Sequence, residues 1–151
     1  MDKKYTAFTE VYSHISRDLI STATIISNGK EYKTKLAMWD TGASFTCISN
    51  KIIQELNLQP FDEIKMYTPS GIDIRERYHV GIKLATEAVY IEDVVVADSE
   101  IDKQGLDVLI GMDIITMGDF SVSNYNGKTV FSFRFPSLEV TDYTSQYKED
   151  D

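Results

Sequence analysis

Hydrophobic and polar residues alternate over short stretches along most of the chain, and turn residues separate these stretches. Such a pattern, rich in β-branched and aromatic residues, is typical of β-strands. Leu19 to Ser27 and Glu31 to Trp39 flank Asn28-Gly29-Lys30. Because the Asn-Gly dipeptide tolerates the positive φ angles of a tight turn, these two stretches are predicted to form a hairpin.

The rest of the chain continues the strand pattern. The predicted strands are, in order, Ile64 to Thr68, Ile72 to Leu84, Ala88 to Ala97, Leu106 to Ile110, Asp119 to Tyr125 and Thr129 to Phe135. Pro69-Ser70-Gly71 suits the turn of a second hairpin, and Asn126-Gly127-Lys128 suits that of a final one. The sequence therefore predicts an all-β fold.

Two short helices interrupt this pattern. Ile52, Ile53 and Leu56 have helical spacing, which predicts a helix near residues 50–56 that Ser49 or Asn50 can cap. A second helix of one or two turns is predicted near residues 112–117.

Length and composition favour one folded domain. The chain has 151 residues, of which 42% are hydrophobic, and this is enough for a single core. We expect an N-terminal extension at residues 1–18, the domain at residues 19–135 and an acidic tail at residues 136–151. The tail is predicted either to be disordered or to become ordered against a partner.

The charge and the hydrophobic runs exclude two kinds of partner. Fifteen basic and 24 acidic side chains give a formal net charge of −9, which disfavours binding to nucleic acid. The sequence contains neither a secretory signal pattern nor an apolar run long enough to span a bilayer. We therefore expect a cytoplasmic protein without a membrane partner.

Cys47 is the only cysteine, so an intramolecular disulfide is impossible. Its strand-like surroundings favour a core thiol, with a redox-active thiol as the less favoured alternative. His14 and His79 lack the ligand spacings of a metal site. Neither a metal nor any other cofactor is expected.

The segment that carries candidate chemistry is an apolar strand, Ala37 to Trp39, followed by Asp40, Thr41 and Gly42. A glycine after the acid lets the backbone approach the carboxylate, and the threonine hydroxyl can tie the loop to its neighbours. Peptide hydrolysis by carboxylates requires one ionised and one protonated group. Since Asp-Thr-Gly occurs once, a symmetric homodimer is the arrangement that supplies two such acids.

Together, Asp40-Thr41-Gly42-Ala43, the hairpin at Pro69-Ser70-Gly71 and Val108-Leu109-Ile110-Gly111 resemble the pattern of the retropepsin-like aspartic protease family. Met112-Asp113 stands where viral members commonly have an arginine, so the resemblance is closer to cellular and bacterial domains. It implies a closed β-barrel in which Asp40 is catalytic.

The resemblance also implies roles for other residues. Thr41, Gly42 and Ala43 would form the active-site loop, in which Thr41 locks the two loops together across the dimer axis and Gly42 shapes the substrate-binding loop. A flap that closes over the substrate would be formed by Tyr67, Thr68, Pro69, Ser70, Gly71 and Ile72. Leu109, Ile110 and Gly111 would form the second family signature, with Gly111 beneath the catalytic loop.

We therefore expect a homodimeric aspartic endopeptidase that acts on a peptide or protein. Plainer interpretations remain open: Asp40 as an ordinary turn aspartate, the second hairpin as a surface turn and Gly111 as the end of a strand. One alternative function is a catalytically inactive dimerisation or peptide-binding module with the same fold. Another is an unrelated β-rich interaction protein that contains the motif by chance.

Overall fold

The computed structural model describes residues 6–85 and 87–147. These residues form ten strands and two short α-helices. The strands are β1 (Thr6–Val11), β2 (Ile20–Ser27), β3 (Lys30–Trp39), β4 (Cys47–Ser49), β5 (Asp62–Thr68), β6 (Gly71–Leu84), β7 (Val89–Ser99), β8 (Val108–Ile110), β9 (Asp119–Ser123) and β10 (Val130–Phe135). The helices are α1 (Asn50–Glu55) and α2 (Met112–Ile115), and single 3-10 turns lie at Ile101–Gln104, Tyr125–Gly127 and Tyr143–Tyr147.

Six of the strands close into a barrel. They follow the order β2-β3-β8-β4-β7-β6, and β6 returns to pair with β2 through Ala23 and Leu84. β5 extends outward because it pairs only with the first half of β6. The all-β, closed-barrel prediction is confirmed.

The predicted hairpins form at the predicted turns. Asn28 and Gly29 both have positive φ, 50° and 76°, and connect the paired residues Ser27 and Lys30. In the second hairpin, Thr68 pairs with Gly71, which leaves Pro69 and Ser70 as a two-residue tip. Turn chemistry encoded within a few residues thus sets the register of the long strands.

A second sheet, of three strands in the order β1-β10-β9, packs beside the barrel. β1 lies in the segment that the sequence assigned to an N-terminal extension. Within that segment, residues 6–11 pair along their whole length with β10 and bury Phe8 in the core. Because Phe8 is the one large buried residue of β1, the hydrophobic pattern of this strand is weak. Its partner strand, β10, lies more than a hundred residues away, so nearby sequence does not indicate the pairing. Residues 1–5 of the predicted extension lie outside the described residues.

An aromatic cluster joins this sheet to the barrel. Phe8, Phe131 and Phe133 surround Trp39, with ring centroids 5.0 to 6.2 Å from the indole. Phe120 stacks on the same indole at 5.5 Å with an interplanar angle of 4°. Trp39 is the last residue of β3, so the cluster fixes the strand end that immediately precedes Asp40.

The two helices are confirmed but are shorter than predicted, and the capping prediction for Ser49 is wrong. Ser49 occupies the N-cap position of α1, yet its hydroxyl makes no capping hydrogen bond and is buried without a partner among the described residues. Its backbone N–H instead donates to Asp107 O at 2.9 Å, because the residue also belongs to β4. No helix in the described ranges is both long and apolar enough to cross a membrane.

The first residues of the C-terminal tail are anchored to β9 by Asp119. Its carboxylate accepts hydrogen bonds from the Leu138 N–H, the Ser137 hydroxyl and the Arg134 guanidinium, and these lower the pKa of Asp119. A lowered pKa means that the stabilisation is complete above the ordinary carboxyl pKa and is lost as the pH falls through the lowered value. The anchor is therefore present at neutral pH. Residues 148–151 of the predicted tail lie outside the described residues.

We predict that Asp119→Ala releases the start of the tail, because four hydrogen bonds, from Arg134, Ser137 and Leu138, lose their acceptor. Limited chymotrypsin digestion at neutral pH is expected to cleave after Leu138 roughly fivefold faster or more than in the wild type. Asp102→Ala is the matched control, since the Asp102 side chain is exposed and accepts none of the hydrogen bonds seen for Asp119. Equal cleavage rates in all three proteins would contradict the anchoring role.

Candidate active site

Asp40 follows β3 directly and is half-buried. Its backbone N–H donates to Ile110 O at 2.8 Å, which ties the residue to the end of β8. Its side-chain Oδ1 accepts a hydrogen bond of 2.8 Å from the Gly42 N–H. Asp40 is therefore held by one hydrogen bond through its backbone and by another through its side chain.

The residues after Asp40 form a tight loop around the acid. A Cβ added to Gly42 would lie 3.1 Å from Asp40 Oδ1, so glycine permits the short N–H contact without crowding the carboxylate. The Ala43 N–H donates to Asp40 O at 3.2 Å and closes the turn. Thr41 and Gly42 are exposed and Ala43 is half-buried. The loop thus presents its tip outward while its base is fixed.

Gly111 is buried directly beneath this loop. A Cβ at this position would lie 2.8 Å from Ala43 O and from Phe45 O, closer than real Cβ atoms approach backbone. The absence of a side chain lets the next residues bond to the loop: the Met112 N–H donates to Ala43 O at 2.7 Å and the Asp113 N–H to Ser44 O at 3.3 Å. Leu109 is half-buried and Ile110 is fully buried.

The β5–β6 hairpin lies over one side of the loop. Between them is a groove of about 520 Å³, lined by Gly42, Ala43, Ser44, Phe45, Cys47, Lys65, Met66, Tyr67 and Leu109. Tyr67 and Ile72 pair across the hairpin near its tip and are 82% and 63% exposed. Thr68, Pro69, Ser70 and Gly71 are also exposed, and the Thr68 hydroxyl donates to Gly71 O at 3.0 Å. Of the predicted flap residues, Tyr67 lines the groove.

Residues 23–117 match the family described as "gag-polyprotein putative aspartyl protease". The chain belongs to the retropepsin-like aspartic protease family. The matched region contains Asp40, the hairpin and Gly111, and so covers the whole candidate site of this retropepsin-like protein.

Solved structures similar to this chain accompany this match. A retropepsin-like aspartic protease from Rickettsia conorii is 13% identical, with a TM-score of 0.55, and the alignment covers 89% of this chain and 98% of that one. The simian foamy virus protease is 21% identical with a TM-score of 0.46, covering 64% and 91% of the two chains. The retroviral protease-like domain of Ddi1 from Leishmania major is 15% identical with a TM-score of 0.41, covering 80% and 94%. No curated protein sequence matches this chain.

One residue of the site was missed by the sequence analysis. Asp113 of the retropepsin-like domain accepts hydrogen bonds from the Thr46 N–H at 2.9 Å and from the Thr46 hydroxyl at 2.7 Å. The same hydroxyl accepts a hydrogen bond of 3.2 Å from the Gly111 N–H. Asp113 therefore fastens α2 to Thr46, the fully buried residue at which the Asp40 loop re-enters the barrel. A carboxylate directly after Gly111-Met112, at the start of a helix, was the available signal.

The cysteine of the retropepsin-like domain has the character of a core thiol. Cys47 is 8% exposed, and burial raises its pKa to about 11. Its Sγ lies 3.7 Å from Phe45 O. Among the described residues, no cluster of three or more His, Cys, Asp or Glu side chains is arranged to hold a metal ion.

We predict that Asp113→Ala lowers the free energy of unfolding by about 1–3 kcal/mol, because the buried Thr46 N–H and hydroxyl lose their acceptors. Chemical denaturation at neutral pH measures the change. Asp102→Ala serves as the control and is expected to stay within about 0.5 kcal/mol of the wild type, as is usual for surface positions. Equal destabilisation by the two substitutions would remove the special role of Asp113.

We also predict that the Cys47 thiol reacts slowly with Ellman's reagent in the native protein. A pKa of about 11, against an ordinary value of 9.0, leaves about a hundredfold less thiolate at neutral pH, and burial restricts access further. The control is Ser121→Cys in a Cys47→Ser background, which places one thiol on an exposed strand position. Comparable rates in the two proteins would favour a reactive Cys47 instead.

Proposed function

We propose that this chain is an aspartic endopeptidase whose catalytic site forms when two copies pair and each contributes Asp40. The observation that carries the proposal is the fixed presentation of the Asp40 carboxylate beside an open groove. The acid is tied to Ile110 and Gly42 by bonds of 2.8 Å, and the groove has room for a peptide segment next to the hairpin.

The proposed chemistry needs two carboxylates that share one proton, as is established for aspartic proteases in general. The ionised group takes a proton from water, and the water oxygen forms a bond to the carbonyl carbon of the peptide. The protonated group donates its hydrogen to the carbonyl oxygen and so stabilises the charge that develops there. The group that took the proton from water then protonates the amide nitrogen, and the C–N bond breaks while the other carboxylate takes a proton back from a hydroxyl of the tetrahedral intermediate. The pair again holds one shared proton.

A single chain provides only half of this arrangement. Asp-Thr-Gly occurs once, so the second carboxylate must come from another copy related by twofold symmetry. The exposed Thr41, next to Asp40, is available for contact between the two loops. Activity is therefore expected to depend on protein concentration, because the site is absent from the monomer.

The substrate would lie extended along the hairpin. β5 is an edge strand, so the outward N–H and C=O groups of its backbone are available to pair with a peptide. The exposed side chains of Tyr67 and Ile72 offer apolar contacts nearby. These features support a peptide or protein as the substrate and mostly apolar residues around the scissile bond.

We predict that Asp40→Asn lowers peptide cleavage about a hundredfold or more, because a neutral amide cannot accept the proton from water. Cleavage of a peptide mixture, with the oligomeric state measured in parallel over a range of protein concentrations, provides the test. Asp102→Asn is the matched control, since Asp102 is exposed and does not line the groove. In the wild type, specific activity is expected to rise with the fraction of dimer.

Two results would overturn the proposal. A dimer that cleaves no peptide at any pH would favour an inactive binding module. Cleavage that persists undiminished in Asp40→Asn would place the chemistry on another residue.

A further inference from the structure

The wall of the groove carries a single formal charge. Within the described part of the chain, its lining consists of glycine, serine, cysteine and apolar or aromatic residues, apart from Lys65. Asp40 adjoins the groove at the loop. An ammonium group in an otherwise uncharged recess is a strong local feature in a chain whose net charge is −9.

The other cations of the hairpin are neutralised, and Lys65 is not. Arg75 pairs with Asp73 at 2.5 Å, and Arg77 pairs with Asp62. Across residues 6–85 and 87–147, no carboxylate lies within ion-pairing distance of Lys65. The hairpin therefore satisfies both of its arginines internally and leaves one ammonium free beside the groove.

The register of the hairpin places this ammonium among apolar side chains. Lys65 pairs with Ile74, and Tyr67, two residues further along β5, pairs with Ile72. Residues that alternate along a strand and residues that pair across it share one face, so the four side chains lie together. Tyr67, Ile72 and Ile74 are each more than half exposed. This face thus combines apolar contact area with the Lys65 ammonium near the hairpin tip. The same alternation places Glu63 and its partner Glu76 on this face farther from the tip, beyond ion-pairing distance of Lys65.

We infer that Lys65 makes the enzyme select peptides with an aspartate or glutamate at the position that lies against β5. This inference rests on the proposed function. An extended peptide in the groove brings alternate side chains toward the hairpin face, and a carboxylate at one of these positions meets the Lys65 ammonium, which has no ion pair within the described ranges. Because the net charge of the protein is −9, acidic peptide residues are disfavoured away from Lys65, so the preference is confined to the position beside it. Since salt screens the interaction of exposed charges, the preference is expected to weaken as salt is added.

The test uses synthetic octapeptides with apolar residues at the two central positions and glutamate or glutamine at each flanking position in turn. At one flanking position the wild type is expected to cleave the glutamate peptide with roughly three- to tenfold higher kcat/KM at low salt. Lys65→Glu is expected to reverse the preference at that position. Lys128→Glu makes the same charge change at an exposed turn outside the groove, and is expected to keep the wild-type preference.

Binding of the same peptides to Asp40→Asn, measured by fluorescence anisotropy, separates this inference from the proposed function. Glutamate-selective binding that Lys65→Glu reverses, without cleavage by the wild type, would refute the endopeptidase and support the role of Lys65. Cleavage with equal kcat/KM for glutamate and glutamine at every position would support the endopeptidase and overturn the role of Lys65. Neither binding nor cleavage of any peptide would overturn both.

Discussion

The site depends on backbone packing directly against backbone at Gly111. Because this residue has no side chain, the carbonyl groups of Ala43 and Phe45 rest on the end of β8, and the N–H groups of Met112 and Asp113 reach the loop. Any Cβ here would push the loop away and leave buried polar groups without partners, which is costly. The position of Asp40 is therefore fixed from below by a strand more than sixty residues away.

The same acid is fixed from the side by packing. Trp39, at the centre of the aromatic cluster, directly precedes Asp40, and its indole N–H also donates to the Ser21 hydroxyl at 2.9 Å. Phe8 and Phe131 reach this cluster from the two ends of the folded chain. Aromatic pairs contribute about 0.5–1.5 kcal/mol each beyond their buried area, so several act together on one strand end. The terminal sheet thus supports the site although it lies outside the barrel.

The sequence predicted the features whose conformation depends on a few neighbouring residues, namely the hairpin turns and the loop at Asp40. Asn28-Gly29 and Pro69-Ser70 mark turns by their own conformational preferences, and Asp40-Thr41-Gly42 marks the loop. The sequence analysis did not find β1, because its pairing with β10 joins opposite ends of the chain. The bond from Thr46 to Asp113 spans 67 positions and was missed for the same reason. Contacts that folding brings together from distant segments leave little trace in a short window of sequence.

The two walls of the groove, the Asp40 loop and the β5–β6 hairpin, are attached to the rest of the domain in different ways. The loop that carries Asp40 is held by hydrogen bonds to β8 and α2 and by the packing of Trp39, so a substitution there disturbs the acid itself. β5 is attached through its ladder with β6 alone among the described strands. Side chains on the exposed face of that hairpin, such as Lys65 and Tyr67, make few of the contacts that fix Asp40. Under the proposed function, substitutions on the hairpin are therefore expected to change the preference for substrate while the geometry of Asp40 stays constant.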